Sequence, residues 1–394
     1  MSDIKSVIKQ DPIIIELQKI FAKKIDKFRI VGGYVRNLII GSVRSDIDIA
    51  TTFDPEQLKD FLINESVEFF EIGGSYGSLG IKVLGVNIEI TSTRIDIKSY
   101  GRQADVQYIA DWEEDSKRRD FTINSLYLDF NGEIYDYHNG LQDIKDNIIK
   151  FIGNPQARIN EDYLRILRAY RFESQLKNFQ IDPDQTKFLV DNINSLSHLS
   201  KERVKQELFK IFQSSDAIKY LHYFSDIGLL NVLKLGLNAD VSLMPKWQKV
   251  EKSPILFLAL TCENDSLDSL KRMLLLSNKE FKILQILQSY KIGSILRADL
   301  CRIISEYDLV LAKKILELKF CLSDMSENEL LTKLSFVEEF KAKKFPVSGN
   351  DIKQIGVNDG LEIGKLIKYA KAEWYNSECK IGRSELIDLI KANI

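Results

Sequence analysis

Near Asn160 the periodicity of the chain changes, and that change limits the folds open to it. Upstream, short runs alternate apolar and polar residues in the two-residue rhythm of strands, broken by glycine turns. Downstream, apolar residues recur at helical spacing and strand-like alternation almost vanishes. Ile13–Lys27 reads as an amphipathic helix, and Phe28–Val31 as a short strand running into Gly32-Gly33. Strands are predicted at Ser45–Thr51, Leu79–Leu84 and Val86–Ser92, the last two joined around Gly85. Phe121–Phe130 and Glu133–Tyr137 flank Asn131-Gly132, a strong hairpin signal. Helices are predicted over Glu161–Leu176, over Lys201–Gln213 with Ser200 as N-cap, and over Leu267–Tyr290. Phe345–Gly349 is the clearest late break, with a small helical unit after it. The reading is an α/β head followed by an all-α remainder.

At 394 residues the chain exceeds the usual single-domain size. Its net charge of −2, from 55 basic and 57 acidic residues, excludes a globally cationic nucleic-acid coat. A local basic stripe remains open, because phosphates respond to the nearby field. The four cysteines, Cys262, Cys301, Cys321 and Cys379, form no CxxC pair, so a reducing, cytoplasmic compartment is expected. His138, His198 and His222 are too dispersed for a metal cluster. Met1–Gln10 is polar and mixed in charge, and no apolar run reaches spanning length, so no membrane partner is expected. The sequence does not specify an oligomeric state.

Val31–Arg36 reads VGGYVR and Ser45–Ala50 reads SDIDIA. Residues two apart on a strand face one side, so Asp46 and Asp48 project together while Ile47 and Ile49 point to the core. Two adjacent carboxylates repel unless a cation or shared proton relieves them, and magnesium commonly uses one or two carboxylates beside substrate phosphates. Alone, an Asp-x-Asp is equally an edge strand with a polar face. Here Gly32-Gly33 lets backbone amides approach a phosphate, Arg36 reaches toward the same anion, and Glu89 alternates with apolar neighbours as a possible third carboxylate.

Gly-Gly-x-Val-Arg followed by Asp-x-Asp resembles the signature of polymerase-β-type nucleotidyltransferases. More narrowly, it resembles the class II group that holds bacterial CCA-adding tRNA nucleotidyltransferases and bacterial poly(A) polymerases. The resemblance implies a mixed-sheet catalytic head, two magnesium ions on Asp46 and Asp48, and Gly33 and Arg36 on the nucleotide. The family usually has Asp after the Arg, where this chain has Asn37.

In Glu161–Phe172, Asp162, Arg165, Arg168 and Arg171 recur every third residue, with Leu164 and Leu167 toward the packed side. Spacing alone allows a solvated face of ion pairs. It also suits base reading: cytosine and adenine both present an amino donor beside a ring-nitrogen acceptor, which Asp162 and Arg165 complement. Uracil and guanine place a carbonyl where that amino group would stand, and Arg168 and Arg171 are left for triphosphate oxygens. The segment resembles the family's protein-templating motif, E-D-x-x-R. Arg118–Asn124, reading RRDFTIN, resembles its ribose and phosphate motif, with Arg119 on the nucleotide and Asp120 in support; Ser125 stands where the family usually has Ala.

Tyr137–Pro155 and Phe345–Trp374 also resemble family segments. The resemblance is legible over 29–176, fainter over 195–215 and 345–390, and not legible between. It implies a head (1–150), a neck with the base-reading helix (151–215), a body (216–340) and a tRNA-binding tail (341–394). The implied activity is template-independent addition of CCA to the 3′ end of tRNA from CTP and ATP. Alternatives are a poly(A) polymerase of the same family, an enzyme adding only CC or only A, a small-molecule nucleotidyltransferase and a catalytically silent RNA-binding protein. The last two fit poorly with Asp162/Arg165 and with both carboxylates present, and the lack of a long basic C-terminal extension favours tRNA over poly(A). Ile95–Asp115, holding Lys98, Tyr100, Gly101 and Arg102, is either a switching loop, as the resemblance implies, or an exposed connection. Lys341, Lys343 and Lys344 suit either phosphate contact or a solvated face, and Trp112, Trp247 and Trp374 read as core or interface residues.

Overall fold

The computed structural model describes residues 4–42, 46–72, 77–100, 103–238, 240–341 and 343–394, with backbone alone at 98–100, 103–105 and 264. Ser45, Gly101 and Arg102 lie outside the described residues. The chain forms two compact units, Met1–Ile211 and Phe212–Ile394.

In the first unit, helices α1 (Ile4–Gln10) and α2 (Pro12–Phe21) lead through a short 3-10 turn into strand β1 (Phe28–Val31). Then follow α3 (Gly33–Ile40), β2 (Asp48–Thr51), α4 (Pro55–Asn64), β3 (Phe69–Glu71), β4 (Ser78–Val83) and β5 (Val86–Ser92). A hairpin, β6 (Arg94–Tyr100) with β7 (Gln103–Tyr108), forms its own two-stranded sheet. After α5 (Trp112–Lys117) come β8 (Tyr127–Leu128) and β9 (Ile134–Tyr135). The main sheet has seven strands in the order β3-β4-β5-β2-β1-β8-β9. It is mixed, because β2 and β5 run parallel while the other neighbours are antiparallel. Its inward face buries Ile30, Ile49, Ile81, Ile88, Ile90 and Leu128. Below it Phe21 stacks on Phe28 at 4.0 Å, and Phe61 and Phe130 close the aromatic cluster. The unit ends in helices α6 (Gly140–Asp146), α7 (Pro155–Glu161), α8 (Leu164–Gln175), α9 (Pro183–Asp191) and α10 (Lys201–Phe212).

The second unit is helical. Helix Pro254–Thr261 is buried from Ile255 to its end and apolar on every side up to Leu260, as a central helix must be. Trp247 packs near it, donating its indole N–H to the Ser214 carbonyl. A separate cluster late in the chain gathers Trp374, Ile352, Ile363, Leu366, Leu386 and Ile390. Both tryptophans are core residues, as expected. Among the described residues no helix is long and apolar enough to cross a membrane.

Three expected elements are corrected here, and the undecided 95–115 stretch gains a structure. The Ile13–Lys27 helix stops at Phe21, and Lys24 (φ −144°) kinks the 3-10 continuation. Of Phe121–Phe130 only Tyr127–Leu128 pairs as a strand, because Thr122–Asn124 coils into a 3-10 turn. Leu267–Tyr290 is two helices: Leu275 takes φ +44°, and the Ser277–Glu280 capping box starts Asn278–Ser289 afresh. Between Ile95 and Asp115 the chain is largely the β6–β7 hairpin, packed by α5.

Candidate active site

Strand alternation builds the carboxylate pair. Asp46 and Asp48 are exposed while Ile47 and Ile49 are buried, although Asp46 lies just ahead of β2. In the parallel register Asp48 faces Glu89 on β5. Thr91 donates to Glu89 at 3.4 Å and shares a 2.9 Å hydrogen bond with Ser78. Although Asp48 is open to solvent, the protein packed around it desolvates its carboxyl and pushes it up to about 6, with Glu89 and Asp46 adding to the rise against Arg119. The three acids therefore crowd negative charge on one side of the sheet.

Next to them β1 turns into α3. Gly32 takes φ +78° with ψ −131°, a conformation closed to most side chains, and α3 begins at Gly33 with its first amides unpaired along the helix. Arg36, one turn on, is 6% exposed. It donates to Asn124 Oδ1, and through Nε (3.1 Å) and Nη2 (2.8 Å) to Asn37 Oδ1. Asn37 thus keeps the acceptor geometry an Asp would give but adds no charge. Burial lowers the Arg36 guanidinium to about 10, aided by Arg171 and Arg168 and opposed by Asp120.

The RRDFTIN segment is held from below by Asp115, a residue the sequence reading did not single out. Its buried carboxylate accepts from Arg118 Nε (2.8 Å), Arg119 Nη2 (3.2 Å) and the Tyr127 hydroxyl (2.6 Å). Burial alone raises an acid, yet Arg119 and Arg118 hold this one down at about 2. Asp120 is likewise about 2, since Arg168 outweighs its burial. Ser125 donates to the Thr122 carbonyl at 2.9 Å, so its extra hydroxyl is satisfied internally.

The expected helix over Glu161–Leu176 is broken, and Asp162 is the break. It lies extended (φ −155°, ψ 104°) between α7 and α8, where its Oδ1 accepts the Leu164 N–H at 3.1 Å. This is the capping behaviour of Asp prevailing over helix continuation. Oδ2 accepts from Arg203 Nη2 at 2.6 Å. Arg165 donates to Glu161 (2.7 Å) and to the carbonyls of Arg158 (2.7 Å) and Arg118 (3.1 Å). Arg168 and Arg171, expected to be free for triphosphate oxygens, are both engaged. Arg168 binds Asp120, and Arg171 Nε lies 2.8 Å from Glu207. The guanidiniums of Arg36, Arg168 and Arg171 surround the Phe172 ring at 5.1, 5.6 and 4.1 Å.

Most of the residues expected at the site open on one cleft of about 570 Å³. Gly32, Gly33, Arg36, Asp46, Asp48, Arg119, Asp120, Asp162, Arg165, Arg168 and Arg171 line it, with Arg118, Asn124, Arg203 and Lys210, which the sequence reading did not single out. Glu89 lies apart, in an adjoining cavity of about 380 Å³ that shares Asp48, Arg118 and Arg119 with the first. The volume suits a nucleotide. Among the described residues no three His, Cys, Asp or Glu side chains close round a common ion position. Two oxygen donors on an open cleft suit magnesium, which leaves positions for phosphate oxygens.

A mixed sheet bearing paired carboxylates, beside a glycine-led helix and an arginine row, defines a nucleotidyltransferase head. Residues 28–150 match the poly A polymerase head domain, and residues 178–240 match the probable RNA and SrmB-binding site of polymerase A. Mouse mitochondrial CCA tRNA nucleotidyltransferase 1 is 32% identical over 394 residues, covering 95% of this chain and 89% of the relative. That span takes in most of the middle stretch where no motif is legible. The CCA-adding enzyme of Staphylococcus epidermidis is 34% identical over 234 residues, 55% of this chain and 57% of the relative. In fold, the Bacillus stearothermophilus CCA-adding enzyme solved with CTP has a TM-score of 0.79 at 23% identity, over 98% of both chains. The Thermotoga maritima CCA-adding enzyme complexed with tRNA_CCA has a TM-score of 0.66 at 18% identity, over 99% of this chain and 98% of that one. The chain belongs to the CCA tRNA nucleotidyltransferase family.

Proposed function

We propose that the protein adds C, C and A to the 3′ end of tRNA without a nucleic-acid template, consuming CTP and ATP and releasing pyrophosphate. One observation carries the reading: Asp46 and Asp48 share a single cleft with Asp162 and Arg165. Choice of base and attack on phosphorus then take place in one chamber. Solved relatives bound to CTP, ATP and tRNA_CCA support the substrates.

Asp46 and Asp48 would hold two magnesium ions, whose charge would offset the desolvation and the neighbouring acids that raise Asp48. When bound, magnesium supplies Lewis acidity, lowering the pKa of the RNA 3′-hydroxyl and offsetting charge on the leaving pyrophosphate. Glu89 supplies the third carboxylate on the neighbouring strand. The α3 amides at Gly33 and the guanidiniums of Arg36 and Arg119 bind the triphosphate, with Arg168 and Arg171 adding to the field through their remaining N–H groups. Asp120 fixes Arg168. Asp162 accepts from the amino group of cytosine or adenine while Arg165 donates to the ring nitrogen, and a uracil or guanine carbonyl meets the Asp162 charge instead. Within the two units we assign head, neck, body and tail to 1–150, 151–215, 216–340 and 341–394. A reducing, cytoplasmic setting agrees with the four free, buried cysteines.

A gel assay tests this with a tRNA transcript lacking its last three nucleotides, magnesium, and CTP and ATP supplied singly and together. Growth by CC with CTP and to CCA with both is expected. A long ladder with ATP alone would move the reading to poly(A) polymerase, and no extension would sink it.

A further inference from the structure

We propose that Arg203 is a specificity-determining positioning residue that acts by fixing the Asp162 carboxylate, an inference that rests on the base-reading role given to Asp162 above. Asp162 stands in the gap between α7 and α8, so no helical ladder directs its side chain. Two contacts do so instead. Oδ1 takes the Leu164 N–H at 3.1 Å, and Oδ2 takes Arg203 Nη2 at 2.6 Å. The two side chains are each 19% exposed, which shelters the pair from the screening that weakens surface ion pairs. Arg203 comes from α10, 41 residues further along, so the carboxylate is tied to a different wall of the cleft and not only to its own turn.

The consequence is directional. Each oxygen of Asp162 has one lone pair committed to a partner, and the acceptor sites that remain belong to a carboxylate that cannot swing. A base amino group meets an acceptor in a set place. A carbonyl in that place meets a charge that cannot turn away. Without Arg203 the carboxylate would rotate and hydrate, and the penalty against uracil and guanine would fall. The same face of α10 repeats the device: Arg203, Glu207 and Lys210 stand at i, i+4 and i+7, Glu207 holds Arg171 at 2.8 Å, and Lys210 lines the cleft. α10 thus backs the arginine row.

The test is single-turnover incorporation of the first nucleotide on the truncated tRNA, using each of the four nucleotides. Wild type is compared with Arg203→Ala, Arg203→Lys, Asp162→Ala and the double alanine variant. The CTP-over-UTP ratio of kcat/KM is expected to fall about ten-fold or more for Arg203→Ala, with kcat for CTP falling less than about three-fold. Arg203→Lys restores most of the ratio, and the double variant is no less selective than Asp162→Ala. If Arg203→Ala does not fold, Arg203→Gln, which keeps a donor and loses the charge, takes its place. Loss of the ratio in Asp162→Ala with a wild-type ratio in Arg203→Ala overturns the proposal and leaves base reading intact. A wild-type ratio in Asp162→Ala overturns both.

Discussion

Asp48 and Glu89 stand opposite each other on parallel neighbouring strands, with Ile49 and Ile90 paired one step on and pointing to the core. The apolar step anchors the register, and a slip by one residue would bury the acids and expose the isoleucines. That arrangement keeps like charges together at an energetic cost, which a bound cation would offset.

Removing the Asp46 carboxylate beside them should stop chemistry without dismantling the cleft. Asp46→Ala is expected to lower the rate of nucleotide addition by about 10³-fold or more, on the scale of a lost metal ligand, while tRNA affinity stays close to wild type. Rapid-quench kinetics beside a gel-shift titration checks both halves.

Tyr127→Phe removes a single hydroxyl and no volume. It takes one donor from the buried Asp115 and one acceptor from Arg119. A loss of about 1–3 kcal/mol in stability is expected for the unpaired groups, together with a raised KM for nucleotide as Arg119 loosens. Denaturant melts and steady-state kinetics measure these separately.

Asp115 also gives the site an acid limit. Its folded value of about 2 lies below the ordinary carboxylate value of 3.8, so its stabilisation is full above that ordinary value and is lost as pH falls toward 2. The size is on the order of 2 kcal/mol. Asp115→Asn should therefore be clearly less stable than wild type at pH 7, with the difference shrinking between about pH 4 and pH 2. Thermal melts across that range follow it; a gap that widens on acidification would contradict the assignment.

Gly32→Ala probes the turn that presents the α3 amides. An added Cβ has room, its nearest neighbour being the Asn124 carbonyl at 3.8 Å, so only the φ of +78° resists it. The expected cost is about 1–2 kcal/mol of stability, with nucleotide binding weakened as the turn relaxes. Calorimetry with CTP measures the second effect.

The sequence made Asp46, Asp48 and Glu89 legible because strand alternation is local, and Gly33 and Arg36 legible because they follow a strand within a few residues. The arginines of α8 were readable from their three-residue spacing, but their partners were not. Asp115 pairs locally, with Arg118 and Arg119 at i+3 and i+4, but Arg203 and Glu207 reach the site through tertiary packing, and spacing cannot report which distant carboxylate a guanidinium will choose. A signal existed for these two: Arg203, Glu207 and Lys210 share a helical face in a segment already read as a helix. The β6–β7 hairpin also left a trace, in the Arg94-Ile95-Asp96-Ile97 alternation, which the charged residues around it obscured. The break at Asp162 was hidden because helical periodicity continues on both sides of it.

On the proposed reading, the protein itself reads the base in the chamber where it does the chemistry. The most direct measurement is equilibrium titration of CTP, ATP, UTP and GTP into Asp46→Ala protein, which binds without turning over, with and without Arg165→Ala. The expected result is a preference for CTP and ATP in the first protein that largely disappears in the second. Full preference after loss of Arg165 would contradict it.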